Sequence, residues 1–580
     1  MKRLRLLLPY LRRYPWHLVA GVACILLSVV FGLITPVLVG RAVDEMWRQV
    51  SAGVLLRFSL LIIGVTAIQG LFNFGQRRIL VAMSRHIEYD LRQDFFAHLE
   101  RQPLQFFHAR YTGDLMARAT NDLQAVRMLC GPAIMYTTNT LVTAVGALAL
   151  MLRLHAPLTL LALAPMPLVA VATKVFGQRI HQLFERVQEQ FSNLSAKVQE
   201  NLSGVRVVRA YVQEEAEHAA FRDSNDEYVG RNRRLIRWTA AFHPLLQSLV
   251  GLGFVAVLWY GGVLVWRQHL TIGQFVTFNF FLGKLIWPMI AIGWVINLVQ
   301  RGAASFGRIR QVLDEEPAVR DEPPLSPLPA VRGAVTVRDL TFAWDGGPPV
   351  LRDVDLEIPA GTTVAVVGRT GTGKSTLLSL LPRLVDPPRQ TVFLDGVDVR
   401  TLPLAELRAT IAVVPQESFL FSVTVADNIR LGRPEATDEE LDRAARLAGL
   451  EDDLVVFPNG LQTMVGERGI TLSGGQKQRV ALARALVRDA PMLLLDDCLS
   501  AVDTATEEQI LQNLRQVFPG RTVFMVSHRV STVRHADLIL VLHDGRIAER
   551  GSHERLLAHD GLYADLARRQ ELEEELEAAS

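Results

Sequence analysis

Long stretches without a charged side chain occur only in the first 300 residues of the chain. Five of them, residues 14–40, 58–76, 128–152, 154–173 and 238–266, approach or exceed the roughly 20 residues that a membrane-spanning helix needs. A sixth stretch begins near Gly273 and continues to Val299, interrupted only by Lys284. The pattern therefore predicts six transmembrane helices.

Two other interpretations of these stretches are less favourable. One apolar run alone could be a buried core helix, but six runs together favour a membrane domain. Lys2, Arg3 and Arg5 precede the first run, as in a secretory signal peptide. That run is too long for a signal peptide and lacks a convincing cleavage site. We therefore expect a retained first helix.

The basic residues are concentrated in alternate connections between the apolar runs. The segment before residue 14 has five Lys and Arg, residues 77–127 have eight arginines, and residues 174–237 have eleven Lys and Arg. The alternate connections contain only Arg41, Arg48 and Arg57, then Arg153, then Arg267. The positive-inside rule places the richer segments, and everything after residue 301, in the cytoplasm.

The two long cytoplasmic connections are polar, poor in Pro and Gly, and rich in helix formers. Loops of such length without secondary structure are uncommon. We therefore expect the membrane helices to extend well into the cytoplasm before the chain turns back.

Composition narrows the class of protein further. Of the 580 residues, 49% are hydrophobic and 21% are charged, and the formal net charge is +2. Nothing in that balance favours a nucleic-acid partner. Cys24, Cys130 and Cys498 lie far apart, without metal-ligand spacing or a disulfide framework, which fits a reducing interior.

After residue 310 the composition changes. Four prolines between residues 323 and 329 indicate a linker, and from Val331 short β-rich runs alternate with helical ones, which is typical of an α/β domain. We divide the chain into a transmembrane domain (1–310), a linker (311–330), an α/β domain (331–570) and an acidic C-terminal tail (571–580).

A glycine-rich turn lies between a β-rich run at 363–367 and a helical run at 377–384. It matches the phosphate-binding loop of P-loop ATPases and consists of Gly368, Arg369, Thr370, Gly371, Thr372, Gly373, Lys374, Ser375 and Thr376. Backbone N–H groups of such a loop can cradle phosphates. Lys374 can neutralise the β- and γ-phosphates, and the Ser375 hydroxyl can bind Mg²⁺.

A second acidic element follows an apolar strand over residues 492–495 and consists of Asp496 and Asp497. Asp496 is the expected magnesium partner in a P-loop ATPase. The predicted fold class is therefore a membrane all-α domain of six transmembrane helices followed by an α/β P-loop ATPase domain.

A further motif decides the family that the chain resembles. Its residues are Leu472, Ser473, Gly474, Gly475 and Gln476. With this signature, the chain resembles the ATP-binding cassette (ABC) exporters over essentially its whole length. The resemblance implies ATP and Mg²⁺ as cofactors. It also implies that Trp344 stacks on adenine, that Gln416 senses magnesium and the attacking water, and that His528 contacts the γ-phosphate.

The resemblance extends to elements that connect domains. Asp503 follows Ser500, Ala501 and Val502 in a segment similar to the loop that communicates between two cassettes. An element similar to the one that meets the membrane domain comprises Val465, Gly466, Glu467 and Arg468. Two segments are similar to the short coupling helices: Tyr111, Thr112, Gly113 and Asp114, and then Ala210, Tyr211, Val212, Gln213 and Glu214.

One position departs from the family pattern. Exporters of this family normally have a glutamate immediately after the magnesium aspartate, where it activates the attacking water, and this chain has Asp497. The shorter side chain withdraws its carboxylate by roughly 1.5 Å, and a misplacement of about 1 Å can cost around 10²-fold in rate. We expect a degenerate site that binds ATP and hydrolyses it slowly.

The chain has one phosphate loop and one signature, whereas the family sandwiches each ATP between the loop of one cassette and the signature of another. The resemblance implies a heterodimer whose second half-transporter carries the catalytic glutamate, as in heterodimeric multidrug and peptide exporters. A homodimeric exporter with a functional Asp497 and an ATP-gated channel or membrane regulator remain alternatives. A soluble nucleic-acid ATPase is disfavoured by the six apolar runs.

The substrate class expected is a hydrophobic drug, lipid or peptide. Five polar or aromatic residues could line a cavity, or equally pack helices or anchor an interface: Gln247, Asn279, Trp287, Trp294 and Asn297. Lys284 would lie roughly 16 Å along its helix from Gly273, near the middle of the bilayer. It could snorkel, pair with an acid on a partner to hold an external gate, or contact the translocation path.

Overall fold

The computed structural model describes residues 7–48, 50–327, 331–344, 346–466, 469 and 471–579, with side chains for all of them except 289, 290 and 573–579. The chain divides into two compact units. The first comprises Met1–His98 with Gly113–Glu315, and the second comprises Leu99–Thr112 with Glu316–Ser580.

The membrane half is helical. Its α-helices are α1 (Leu8–Arg12), α2 (Pro15–Arg48), α3 (Ala52–Leu99), α4 (Leu104–His108), α5 (Thr112–Ala117), α6 (Leu123–Met128), α7 (Ile134–Leu163), α8 (Met166–Ser203), α9 (Val205–Ala210), α10 (Glu214–Ala256), α11 (Gly262–Trp266) and α12 (Ile272–Leu313). Short π-helical segments join some of them into longer rods, at Arg118–Asp122, Leu129–Ala133 and Val257–Gly261.

Five helical rods among the described residues are long and apolar enough to cross a membrane: Pro15–Arg48, Ala52–Leu99, Thr112–Leu163, Glu214–Trp266 and Ile272–Leu313. They contain five of the six predicted spans. The fourth predicted span, residues 154–173, is not one uninterrupted helix. His155 has a non-helical backbone (φ −163°, ψ 101°), and a turn at residues 164–165 separates α7 from α8.

Proline explains this division. Pro157 lies just after His155, and Pro165 and Pro167 lie at the start of α8. A proline ring removes a backbone donor and clashes with the preceding helical turn, so it favours the first turn of a helix over its interior. Residues 156–163 are also helical and uncharged, so the apolar length of the fourth predicted span is shared between the end of α7 and the start of α8.

The expected extension of the helices is confirmed. α3 continues past its apolar part to Leu99, α8 continues to Ser203, and α10 begins at Glu214, well before its apolar part. The two segments that resemble coupling helices lie at the turns between these rods, where Tyr111 is 89% exposed and Tyr211 is 73% exposed.

The first and last long rods of the membrane half pack closely through small residues. A Cβ atom on Gly40 of α2 would overlap the Thr277 hydroxyl and the Gly273 carbonyl oxygen of α12. Thr277 donates a hydrogen bond to the Pro36 carbonyl at 3.2 Å. Asp44 caps α12, because its carboxylate accepts from the Gly273 amide at 2.7 Å.

The second unit contains two sheets. The strands are β1 (Val335–Ala343), β2 (Pro349–Ile358), β3 (Thr363–Val367), β4 (Val392–Leu394), β5 (Val397–Asp398), β6 (Ile411–Val414), β7 (Met492–Asp496), β8 (Thr522–Val526), β9 (Leu538–His543) and β10 (Arg546–Gly551). An antiparallel sheet has the order β2-β1-β4-β5, and a six-stranded sheet has the order β10-β9-β3-β8-β7-β6. The larger sheet is parallel except for β10.

Besides α4, the described part of this unit contains the α-helices α13 (Lys374–Leu380), α14 (Leu404–Ala409), α15 (Val425–Arg430), α16 (Asp438–Leu447), α17 (Glu451–Val456), α18 (Gly474–Val487), α19 (Thr504–Arg515), α20 (Val530–Val533), α21 (His553–Ala558) and α22 (Leu562–Ala579). The helical run expected at 377–384 begins earlier and ends at Leu380. The segment 571–579, expected as a tail, continues α22. The predicted fold class, a helical membrane domain followed by an α/β P-loop domain, is confirmed.

The contact between α2 and α12 yields a stability prediction. We expect Gly40→Ala to destabilise the transporter by about 1–3 kcal/mol, the usual cost of overpacking a closely packed site. Gly70→Ala is the matched control, because a Cβ there meets nothing within 4 Å. Thermal unfolding of the purified protein in lipid nanodiscs measures both. Equal unfolding temperatures for the two variants would contradict the close approach of α2 and α12.

Candidate functional site: a phosphate-binding pocket in the cassette

The phosphate loop connects β3 to α13 by a backbone path that only glycine follows easily. Gly368, Gly371 and Gly373 have φ values of 150°, 85° and 99°, a region that L side chains rarely adopt. A Cβ on Gly373 would also lie 2.7 Å from a methyl group of Leu351. The glycines predicted for this turn are therefore required by its geometry.

Lys374 lies inside the loop. Its ammonium donates to the carbonyls of Gly368 and Arg369 at 2.8 and 2.9 Å, and the side chain is almost wholly buried. Burial lowers the pKa of Lys374, while the nearby carboxylates of Asp496 and Asp497 act in the opposite direction. The loop thus holds a partly desolvated cation whose natural counterion is a phosphate group.

Asp496 ends β7 beside the loop. Burial raises the pKa of Asp496, and a hydrogen bond with the Ser375 hydroxyl opposes that shift. Its Oδ1 atom is buried without a hydrogen-bond partner among the described residues. An unsatisfied carboxylate oxygen next to a hydroxyl fits Mg²⁺, which binds through one or two protein oxygens together with phosphate and water. Bound Mg²⁺ would neutralise charge on the phosphates.

No larger metal cluster competes with this assignment. The described part of the chain contains no group of three or more His, Cys, Asp or Glu residues arranged to hold a metal. Ser375, Asp496 and Gln416, the residues predicted to bind Mg²⁺, line the same pocket.

The sheet brings the remaining predicted residues together. Gln416 follows β6, Asp497 follows β7 and His528 follows β8. In an open parallel sheet the carboxyl ends of the strands meet at one edge, where ligands bind. All three residues line one pocket of about 200 Å³ with Thr370, Gly371, Gly373, Lys374, Ser375, Thr376 and Asp496.

Trp344 lies at the side of the loop. It follows β1, packs edge-on against Phe342 with ring centroids 5.4 Å apart, and donates from its indole nitrogen to the Thr376 hydroxyl at 3.4 Å. The aromatic ring therefore lies next to the last residue of the phosphate loop, a position suited to stacking on a nucleotide base. Its predicted contact with adenine stays a prediction.

Asp497 has a left-handed backbone with φ 47°. Its amide donates to the Val526 carbonyl at 3.0 Å, which ties β7 to β8, and its own carbonyl accepts from the Ser500 hydroxyl at 3.0 Å. Aspartate and asparagine adopt this backbone region more readily than longer side chains. The local geometry is therefore well matched to the residue present.

The signature lies elsewhere in the same unit. Ser473 caps α18, accepting from the Gln476 amide at 3.3 Å, and its own amide donates to the Gln476 side chain at 2.9 Å. Ser473 and Gly474 are exposed, whereas Leu472 and Gly475 are buried. Among the described residues that line the phosphate pocket, none belongs to the signature.

The contacts of α18 with Asp453 and Ala501 were not anticipated from the sequence. The Gln476 side chain donates to Asp453 at 2.8 Å, and Arg479 pairs with the same carboxylate at 2.7 Å. Gln478 binds the Ala501 amide at 2.9 Å, and a Cβ on Gly475 would lie 2.9 Å from the Ala501 carbonyl. The signature helix therefore holds the segment that leads to Asp503, which itself caps α19.

Two other predicted features are the element at residues 465–468 and the lysine at position 284. Val465 is buried and its backbone pairs with Val423, whereas Glu467 and Arg468 lie outside the described residues. Lys284 is half-buried on α12 and makes no hydrogen bond or ion pair with any described residue of this chain.

Comparison with known proteins agrees with this arrangement. Residues 18–289 match the family model described as the ABC transporter transmembrane region, and residues 351–500 match the model described as ABC transporter. The multidrug resistance-like ATP-binding protein MdlA of Escherichia coli (strain K12) is 38% identical over 573 residues, covering 98% of this chain and 97% of that protein.

Two further relatives support the same family. The ATP-dependent lipid A-core flippase of Syntrophus aciditrophicus (strain SB) is 33% identical over 560 residues, covering 97% of this chain and 93% of that protein. The solved structure of a bacterial Atm1-family ABC exporter with ATP bound matches with a TM-score of 0.79 and 30% identity, over 97% of this chain and 98% of that chain.

These similarities, together with the pocket, establish a multi-pass protein of the inner membrane whose cassette lies in the cytoplasm and binds ATP with Mg²⁺. ATP hydrolysis by the cassette is coupled to transport. The chain belongs to the ABC transporters, as an exporter with a helical transmembrane domain followed by an ATPase domain.

Proposed function

We propose that this chain is one half of a heterodimeric exporter that moves hydrophobic drugs, lipids or peptides out of the cytoplasm. Its own ATP site binds nucleotide and hydrolyses it slowly. The observation that carries this proposal is Asp497, an aspartate in the water-activating position, in a chain whose phosphate loop and signature are both intact.

The proposed roles in the pocket follow its geometry. Lys374 and the loop amides bind the phosphates, Ser375 and Asp496 hold Mg²⁺, and Gln416 orients the attacking water from the end of β6. His528 contacts the γ-phosphate from the end of β8. Asp497 lies at the same edge of the sheet, but its side chain is shorter than that of glutamate. Its carboxylate therefore falls roughly 1.5 Å short of the position that a glutamate carboxylate would reach, which is enough to lower the rate of ATP hydrolysis by about 10²-fold.

The placement of the signature supports an assembly of two cassettes. Ser473 and Gly474 are exposed at the start of α18, a helix of fourteen residues, whose free N–H groups favour an anion. No signature residue lines this chain's own pocket among the residues described there. The signature therefore acts in trans and completes the ATP site of a partner half-transporter, which carries the catalytic glutamate.

The substrate class rests on the relatives and on the membrane half. The relatives' names refer to multidrug resistance and to lipid A-core flipping. Trp287 is 60% exposed and Trp294 is 46% exposed on α12, and Trp294 packs edge-on against Tyr136 at 4.9 Å. Such aromatic surfaces suit hydrophobic substrates. Lys284 on the same helix either contacts an acidic or carbonyl group of the substrate or pairs with the partner.

Two other functions are distinguished by simple measurements. A homodimeric exporter would purify with no second half-transporter and would depend on Asp497 for turnover. An ATP-gated channel would let substrate move down its gradient only, so ATP-driven uptake into inside-out vesicles against a gradient separates pumping from gating.

The degenerate site gives the first functional prediction. Asp497→Asn keeps the size of the side chain and tolerates the left-handed backbone, but it removes the carboxylate. We expect the ATPase rate of the assembled transporter to fall by less than about threefold, whereas replacing the partner's glutamate by glutamine should lower it by about 10²-fold or more. Steady-state phosphate release from proteoliposomes measures both. Equal losses would show that Asp497 is the water-activating residue of a competent site.

The trans arrangement gives the second functional prediction. Ser473→Arg places a bulky cation at the exposed start of α18, where it would obstruct the partner's γ-phosphate. Ser473→Ala is the comparison, because it removes the hydroxyl without adding bulk or charge; the lost cap typically costs about 1 kcal/mol of stability. We expect hydrolysis to be nearly abolished by arginine and reduced much less by alanine. Photolabelling of this chain by 8-azido-ATP should persist in both variants, and wild-type hydrolysis by Ser473→Arg would refute the arrangement.

A further inference from the structure

Gln570 joins the C-terminal helix to the segment that carries His528. Its side-chain nitrogen donates to the backbone carbonyl of His528. Its side-chain oxygen accepts from the backbone amide of Val530 at 2.6 Å. A primary amide offers a donor and an acceptor side by side, so one side chain of α22 binds the backbone on both sides of residue 529.

The side chains of this segment are held from another direction. Arg529 and Thr532 both hydrogen-bond to the carboxylate of Glu507 on α19, which is almost wholly buried. Arg529 also donates to the Val502 carbonyl at 3.4 Å. The segment after β8 is therefore fixed through its side chains by α19 and through its backbone by Gln570.

The base of α22 is itself anchored. The Glu549 carboxylate of β10 accepts from the amides of Leu562 and Tyr563 at 2.6 and 3.1 Å. The Tyr563 ring is fully buried, and its hydroxyl lies 2.8 Å from the His553 ring nitrogen. A helix anchored in this way can transmit a position to the backbone that it contacts.

His528 is the residue between these constraints that faces the nucleotide pocket. It lines the pocket with Lys374 and Asp496, and its proximity opposes the rise in the pKa of Asp496. Where its imidazole lies in the pocket depends on the backbone of residues 528–530, because a histidine side chain has only two rotatable bonds beyond that backbone.

We propose that Gln570 is a positioning residue for γ-phosphate recognition, which clamps the His528 and Val530 backbone so that α22 sets the place of the His528 imidazole. This inference rests on the proposed role of His528. It assigns a function in the ATP site to the C-terminal helix. Gln570 acts there through the backbone of residues 528 and 530, and it contacts neither the phosphate loop nor the signature among the described residues.

Two substitutions separate the two halves of the clamp. Gln570→Met keeps a side chain of similar length and removes both hydrogen bonds. Gln570→Glu keeps an acceptor for the Val530 amide, but it removes the donor to the His528 carbonyl. Glu571→Gln is the matched control, because residue 571 is the exposed neighbour on the same helix.

The readout is the affinity of this chain's own site for two nucleotides in the assembled transporter. Chain-specific photolabelling by 8-azido-ATP is competed with ATP or with ADP. We expect both Gln570 variants to weaken the affinity for ATP by about twofold to tenfold, the factor that corresponds to a lost hydrogen bond. ADP should compete as in the wild type, because it has no γ-phosphate. Glu571→Gln should change neither.

A second readout tests the clamp without nucleotide. Hydrogen exchange at the Val530 amide should be faster in Gln570→Met than in the wild type, while Gln570→Glu should retain most of the protection. Wild-type exchange at Val530 in Gln570→Met would refute the clamp.

His528→Ala separates this inference from the assignment on which it rests. If His528→Ala weakens the binding of ATP but not of ADP, while Gln570→Met changes neither affinity, Gln570 does not position His528. If Gln570→Met weakens ATP and ADP equally, its role is structural and the inference is wrong. If His528→Ala itself leaves the ratio of ATP to ADP affinity unchanged, the proposed contact of His528 with the γ-phosphate is wrong, whatever the exchange at Val530 shows.

Discussion

The ATP site depends on charges that the cassette buries at one edge of its parallel sheet. The Lys374 ammonium is enclosed by the carbonyls of its own loop, and the neighbouring Asp496 has a buried oxygen without a partner among the described residues. A buried charge is costly unless it is paired and hydrogen-bonded. MgATP supplies a phosphate group for Lys374 and a cation for Asp496. Binding of the nucleotide therefore satisfies a site that the fold leaves incomplete.

The same site is incomplete in a second way. Its pocket contains residues from the ends of β3, β6, β7 and β8, whereas the exposed signature at the start of α18 lies outside it. The signature helix is nevertheless fixed firmly, through Asp453 on one side and Ala501 on the other. We propose that this exposed helix start completes the nucleotide site of another cassette. In the heterodimer that we propose, the aspartate at 497 leaves most of the hydrolysis to the site of the partner.

Much of this architecture could be predicted because it depends on local patterns. The phosphate loop needs glycine at positions of positive φ, and the apolar runs reveal most membrane helices by length alone. The division of the fourth run was missed, because the run is identified by its lack of charge, whereas the break is marked by Pro157, Pro165 and Pro167. Gln570 and Asp453 were missed for another reason: their partners lie 42 and 23 residues away along the chain, with no periodicity or motif that connects them.

The proposed degenerate site predicts that the nucleotide on this chain survives turnover of the transporter. It can be tested by following 8-azido-ATP on this chain with the label either on the α-phosphate or on the γ-phosphate, during ATP hydrolysis by the assembled transporter in lipid. If the site is degenerate, the two labels remain on this chain in nearly equal amounts while the partner retains only the α-label. Loss of the γ-label from this chain as fast as from the partner would contradict the account.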